Sequence, residues 1–186
     1  MPDDFHLLKT VSVSVSGGEV TPRIPRRWDV WPHERDEGRW GCYEEERGPE
    51  TDTGTLWIQV DHFRVKGESD DHGIPDGFED IVKCMVADRV DRNERLLENE
   101  LRRIERGCRW ICVFDTVEDG EPLRFYCSHF FLAHGPNSAI IAINLVLTHA
   151  QMDQPDYVEL LEIIWRELDA MRLEPFADLE EAAVER

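Results

Sequence analysis

Between Ala139 and Leu147 every position except Asn144 is apolar. The run is far shorter than the roughly 20 residues that cross a bilayer as a helix, and it is rich in isoleucine. It therefore reads as a strand buried on both faces, which places it inside a sheet with helices covering at least one side. Gly135-Pro136-Asn137-Ser138 supplies a turn just before it, and Leu123 to Leu132 reads as the preceding strand of a hairpin.

The same period-two logic extends along the chain. Thr55 to Val65 alternates Leu56, Ile58 and Val60 with Trp57, Gln59 and Asp61, a strand with one wet and one dry face. Val11, Val13 and Val15 alternate with serines up to a Gly17-Gly18 turn. Pro22 and Pro25 keep the next stretch extended, carrying Trp28 and Trp31 into a short strand ending at Pro32. His33 to Gly38 reads as a hairpin loop, Arg39 to Glu45 as the returning strand, and Glu46 to Thr53 as a loop. Arg109 to Asp115 is a further strand, followed by a turn at Glu118-Asp119-Gly120. Residues 94–105 fit either a helix or a strand; the short connection Arg106-Gly107-Cys108 favours strand.

Two segments carry helical spacing. Phe78, Ile81, Val82, Met85 and Val86 predict a middle helix over about 78–90, starting near Asp76 or Gly77. Asp153 is placed to cap a long C-terminal helix over about 153–171, with Pro155 in its first turn. Its stripe is Tyr157, Leu160, Leu161, Ile164, Trp165 and Leu168. The fold class is α+β: an antiparallel sheet of about six to seven strands flanked by these two helices. Residues 1–176 are expected to form a single domain, with 177–186 an acidic tail.

The chain of 186 residues has a formal net charge of -19, which disfavours nucleic acid and anionic membranes as partners and leaves a basic protein open. The same charge also acts simply to keep a protein in solution. The acidic N-terminus and the lack of an apolar signal region predict a cytoplasmic protein. Five cysteines at irregular spacing predict buried thiols rather than a disulfide framework.

The Ile24-Pro25-Arg26-Arg27-Trp28 approach, the hairpin into Gly54-Thr55-Leu56-Trp57-Ile58, the middle helix, the later meander and the closing helix together resemble the Mog1/PsbP-like fold and its bacterial members of unknown function. That group includes a Ran-binding factor and a photosystem subunit, so the resemblance implies protein binding rather than catalysis. It transfers no site.

Candidate sites are few. Cys127 and His129 face one side of a strand, and Cys112 on the neighbouring strand could join them around zinc, but Cys108-x-x-x-Cys112 and Cys127-x-His129 match no common zinc spacing. The expectation is no metal and no cofactor. Cys127 with His129 or His134 is the candidate nucleophile and base of a small hydrolase, with Asp115 to orient the imidazole. Mid-strand placement instead favours core packing. Asp61-His62 and Asp70-Asp71-His72 bracket a loop that lacks the pattern of a calcium loop. No nucleotide-binding or nucleophile-elbow motif occurs. Trp31, Trp40 and Trp57 are the candidate partner-binding residues, set against burial in the core. The expected function is a non-catalytic protein-interaction domain. Its alternatives are an acidic immunity protein or secretion chaperone for a basic effector, and a Cys/His hydrolase.

Overall fold

The computed structural model describes residues 8–15, 18–26, 28–32, 39–43, 55–66, 68–70, 74–90, 95–134 and 137–170. In chain order these form strands β1 (Leu8–Thr10), β2 (Val13–Val15), β3 (Gly18–Val20), β4 (Arg23–Pro25), β5 (Asp29–Pro32), β6 (Arg39–Tyr43) and β7 (Thr55–Arg64). Helix α1 (Phe78–Val90) follows, then β8 (Arg95–Ile104), β9 (Gly107–Glu118), β10 (Glu121–His134) and β11 (Asn137–Thr148). Helices α2 (His149–Met152) and α3 (Pro155–Ala170) close the described chain. The large sheet has the order β5-β6-β7-β11-β10-β9-β8; β1-β4 and β2-β3 are separate two-stranded ribbons. The α+β class and a mostly antiparallel sheet agree with the sequence reading, whereas the strand count and the helix arrangement differ from it: two small ribbons and the short helix α2 are additions.

Two compact units divide the chain: Met1–Trp57 with Val146–Arg186, and Ile58–Leu145. In the second, β8, β9 and β10 form a meander whose registers run from Ile104↔Gly107 and from Glu118↔Glu121. The β9–β10 turn uses Asp119 at φ 51 and Gly120 at φ 86, a pair of left-handed residues that matches the twist of the flanking strands. Gly107 has a different reason: a Cβ there would lie 1.9 Å from the carbonyl oxygen of Phe131. The short 105–106 connection resolves the ambiguity at 94–105 in favour of a strand.

One face of this meander packs against α1. Gly77 starts the helix, its carbonyl accepting from Ile81 N at 3.1 Å, and Phe78, Val82 and Val86 recur every fourth residue to form the buried stripe. They meet Cys108, Trp110, Cys112, Cys127, Phe131 and Ile140. Burying each large side chain stabilises by about 1.5–3 kcal/mol. Phe114 and Phe125, opposite each other in the register, stack at 4.9 Å. On β11, residues 138–143 are buried without interruption and the strand lies between β7 and β10, as its composition requires.

In the first unit the predicted strand from Val11 shortens to Val13–Val15, because Val11 N instead bonds to Pro22 O at 3.1 Å beside the β1-β4 ribbon. Ile24 and Trp28 are buried, and Lys9 pairs with Asp29 at 2.9 Å. Asp153 does not cap the long helix. Thr148 and Gln151 form a capping box that starts α2, with Thr148 Oγ1 accepting from Gln151 N at 3.2 Å and Gln151 Oε1 accepting from Thr148 N at 2.8 Å. Asp153 becomes the C-cap of α2, and α3 begins at Pro155. Helix α3 buries Tyr157, Leu160, Ile163 and Ile164, whereas Leu161 and Trp165 are half-buried. The predicted loops at 33–38 and 46–53, the Leu168 side chain and the 177–186 tail lie outside the described residues.

Candidate functional site

The register brings the predicted thiols and imidazole onto the face covered by α1. Cys127 lies directly opposite Cys112, and His129 opposite Trp110. All four are buried, and Cys42, Cys84, Cys108, Cys112 and Cys127 are all thiols rather than disulfides. The His134 side chain lies outside the described residues.

His129 is the centre of a polar network. Arg89, in the last turn of α1, donates from Nη1 to His129 Nδ1 at 2.8 Å. The opposite ring nitrogen, Nε2, donates to Asn144 Oδ1 of β11 at 2.8 Å. Because a guanidinium can only donate, Nδ1 must hold a lone pair, so the ring is the neutral Nε2–H tautomer. The Trp110 and His129 rings form a T-shaped pair with centroids 5.1 Å apart, and Trp110 Nε1 donates to Asn99 Oδ1 of β8 at 2.7 Å. Asn99, Trp110, His129 and Asn144 thus run across four strands. Burial, and then the Arg89 charge, push the His129 pKa down to about 4, while the Asn144 bond opposes them.

This arrangement satisfies a buried imidazole rather than poising it. A general base needs an open lone pair within reach of a substrate proton, and that of His129 is taken by Arg89. Asp115 does not orient the ring. It lies five residues from Trp110 on β9, hence on the opposite face, where its carboxylate accepts from Arg124 Nε at 2.6 Å and Nη2 at 3.0 Å. The zinc reading meets the same obstacle, since both nitrogens of His129 are engaged; among the described residues no group of three or more His, Cys, Asp or Glu side chains is arranged to hold a metal. Of the acids that bracket the polar loop, Asp61 on β7 accepts from Gln59 Nε2 at 3.0 Å and Asp70 from Ile74 N at 2.9 Å; Asp71, His72 and the His62 side chain lie outside the described residues.

Arg89 and Asn144 escaped the sequence reading. Asn144 had a visible signal, as the one polar residue in an apolar run, but Arg89 sits 40 residues from its partner and only helix packing joins them.

The tryptophans divide between faces. Trp31 stands opposite Gly41 and Trp40 opposite Pro32, so consecutive register positions send the two rings to opposite sides of the β5–β6 hairpin. Arg39 shares the Gly41 side, and its guanidinium lies 4.5 Å from the centre of the Trp57 ring. Trp31, Arg39 and Trp57 therefore share one half-buried face. Trp57 alternates as expected with buried Leu56 and Ile58. Trp40 lies on the side of Cys42, whose thiol is pushed up to about 12 by burial.

No protein-family profile and no curated protein matches this chain. Among solved structures it is similar to LpqN of Mycobacterium tuberculosis, described as involved in cell envelope biogenesis, at a TM-score of 0.56 and 8% identity over 84% of this chain and 87% of that one. A protein of unknown function from Pseudomonas aeruginosa, PA94, aligns at a TM-score of 0.47 and 14% identity over 89% of this chain and 96% of that one. The likeness to LpqN is one of fold. Among the described residues no helix is long and apolar enough to cross a membrane.

Proposed function

We propose that this chain is a non-catalytic protein-interaction domain that engages its partner through the Trp31, Arg39 and Trp57 face. The observation that carries this reading is Trp57 itself: it stays half-buried on a strand whose alternate residues are sealed, and a guanidinium lies over its ring. Tryptophan and arginine are the side chains most enriched at interface hot spots. The engagement of both nitrogens of His129 supports the absence of a Cys/His reaction at this position. A net charge of -19 favours a basic partner, in keeping with the immunity-protein or chaperone alternative, and the resemblance to the Mog1/PsbP-like group supports binding as the activity.

Affinity isolation with the full chain and with Trp57→Ala, followed by titration of the recovered protein, tests the reading. One partner should bind the wild type and lose at least about tenfold in affinity for the variant. Equal binding by both would remove the tryptophan face. Turnover of a small molecule that disappears in Cys127→Ala would remove the non-catalytic reading altogether.

A further inference from the structure

Strand β8 ends the hydrogen-bonded order of the large sheet, and its outer edge has no strand partner among the described residues. It is ten residues long and exposed along almost its whole length. An edge of this kind is a template for another strand.

The registers decide which groups face outward. The β9–β10 hairpin closes on Glu118↔Glu121 across a two-residue turn, and a closing pair of that kind is hydrogen-bonded. Alternation along the unbroken register then directs the even-numbered residues of β9 to β10 and the odd-numbered ones to β8. Val113, Ile111 and Arg109 accordingly bond to Glu98, Glu100 and Arg102. The β8–β9 hairpin, closing on Ile104↔Gly107, requires the same parity. The backbone amides and carbonyls of Asn99, Leu101 and Arg103 are therefore the ones that point away from the sheet.

We propose that β8 pairs antiparallel with β8 of a second copy of this chain, about a two-fold axis through Leu101. Only registers centred on an outward-facing residue, or on one between two of them, match outward groups to outward groups. Centring on Asn99 opposes Glu98 to Glu100; centring on Glu100, Arg102 or Arg103 opposes that residue to itself. Centring on Leu101 sets Asn99 against Arg103 and Leu101 against Leu101 as hydrogen-bonded pairs. Glu100 then faces Arg102 twice, in the closely spaced non-hydrogen-bonded positions where opposite charges gain most. Within one chain Glu100 and Arg102 already hold each other on one face, with both contacts at 2.7 Å, so the dimer closes a square of four charges.

Charge favours this edge as the meeting place. Strand β8 carries three arginines against two glutamates in a chain of net charge -19, so two copies approach where the general repulsion is weakest. The irregularity between Leu96 and Glu98 stops the ladder at one end. A ladder from Glu98 to Ile104 is short, and the dimer should be reversible. Dimerisation through β8 is independent of whether the tryptophan face binds a partner.

Sedimentation equilibrium of the full chain tests it. The wild type should show a concentration-dependent monomer–dimer equilibrium. Glu100→Arg alone, and Arg102→Glu alone, should each weaken dimerisation at least about tenfold, since each turns the square into like charges. An equimolar mixture of the two variants should form a heterodimer, because the two arginines of one variant then face the two glutamates of the other. On the wild type, without any substitution, the amides of Asn99, Leu101 and Arg103 should gain protection from hydrogen exchange as concentration rises, while those of Glu100 and Arg102 do not change. A wild type that stays monomeric, single reversals that dimerise as well as the wild type, a mixture that stays monomeric, or protection that ignores this parity would each overturn the proposal.

Discussion

Arg89 Nη1 lies 2.8 Å from Nδ1 of His129, and this contact ties the last turn of α1 to β10 while holding the imidazole neutral. A cation donating to a buried histidine makes protonation costly from two directions, desolvation and like charge.

Acid stability follows. With its folded pKa at about 4 and an unfolded value near 6.5, His129 binds a proton in the unfolded chain at a pH where the folded chain does not. Its contribution is full above about pH 6.5, shrinks as pH falls, and levels off below about 4, a loss of up to roughly 3 kcal/mol. Urea titrations between pH 7 and 4 should show a steeper decline for the wild type than for His129→Gln. Parallel curves would refute the assignment.

Asp115 and Arg124 form a two-contact pair in which the carboxylate is nearly buried and the arginine partly exposed. Asp115→Asn should cost about 2 kcal/mol, less than a fully buried pair because water reaches Arg124. Thermal or urea unfolding measures it.

Gly107, at the start of β9, and Gly120, in the β9–β10 turn, should behave differently. Gly107→Ala drives a Cβ into the Phe131 carbonyl and should destabilise by more than about 3 kcal/mol or prevent folding. Gly120→Ala meets open space and bears only the left-handed backbone penalty, about 1 kcal/mol. Comparable losses at both positions would contradict the close approach at Gly107.

Thiol reactivity reports the cysteine environments. Cys84 is exposed, whereas Cys42, Cys108, Cys112 and Cys127 are buried. A chromogenic disulfide reagent should modify Cys84 quickly in the native chain and the other four only after unfolding; Cys42, its pKa raised to about 12, should resist longest where burial persists. Rapid native modification of Cys127 would reopen the nucleophile reading.

Local periodicity was enough to place the long elements with an unbroken apolar pattern. Alternation in Thr55–Val65, the apolar run at Ala139–Leu147 and the fourfold spacing of Phe78, Val82 and Val86 each express a backbone geometry that depends only on near neighbours in the chain. Helix boundaries were less legible: Asp153 is a capping residue type, yet it ends the short helix α2 that the Thr148–Gln151 capping box starts, and α3 begins only at Pro155.

What the sequence determined by itself was therefore the class of the fold, its long strands and its two long helices, because these follow from side-chain spacing along one backbone. Only the tertiary structure decided what the polar residues inside it do. Arg89, Trp110, His129 and Asn144 come from a helix and three strands, and whether an imidazole there acts as a base or is a satisfied core group depends on which donors and acceptors packing brings to its two nitrogens. The same holds for β8, whose outward amides are known only once its register against β9 is known.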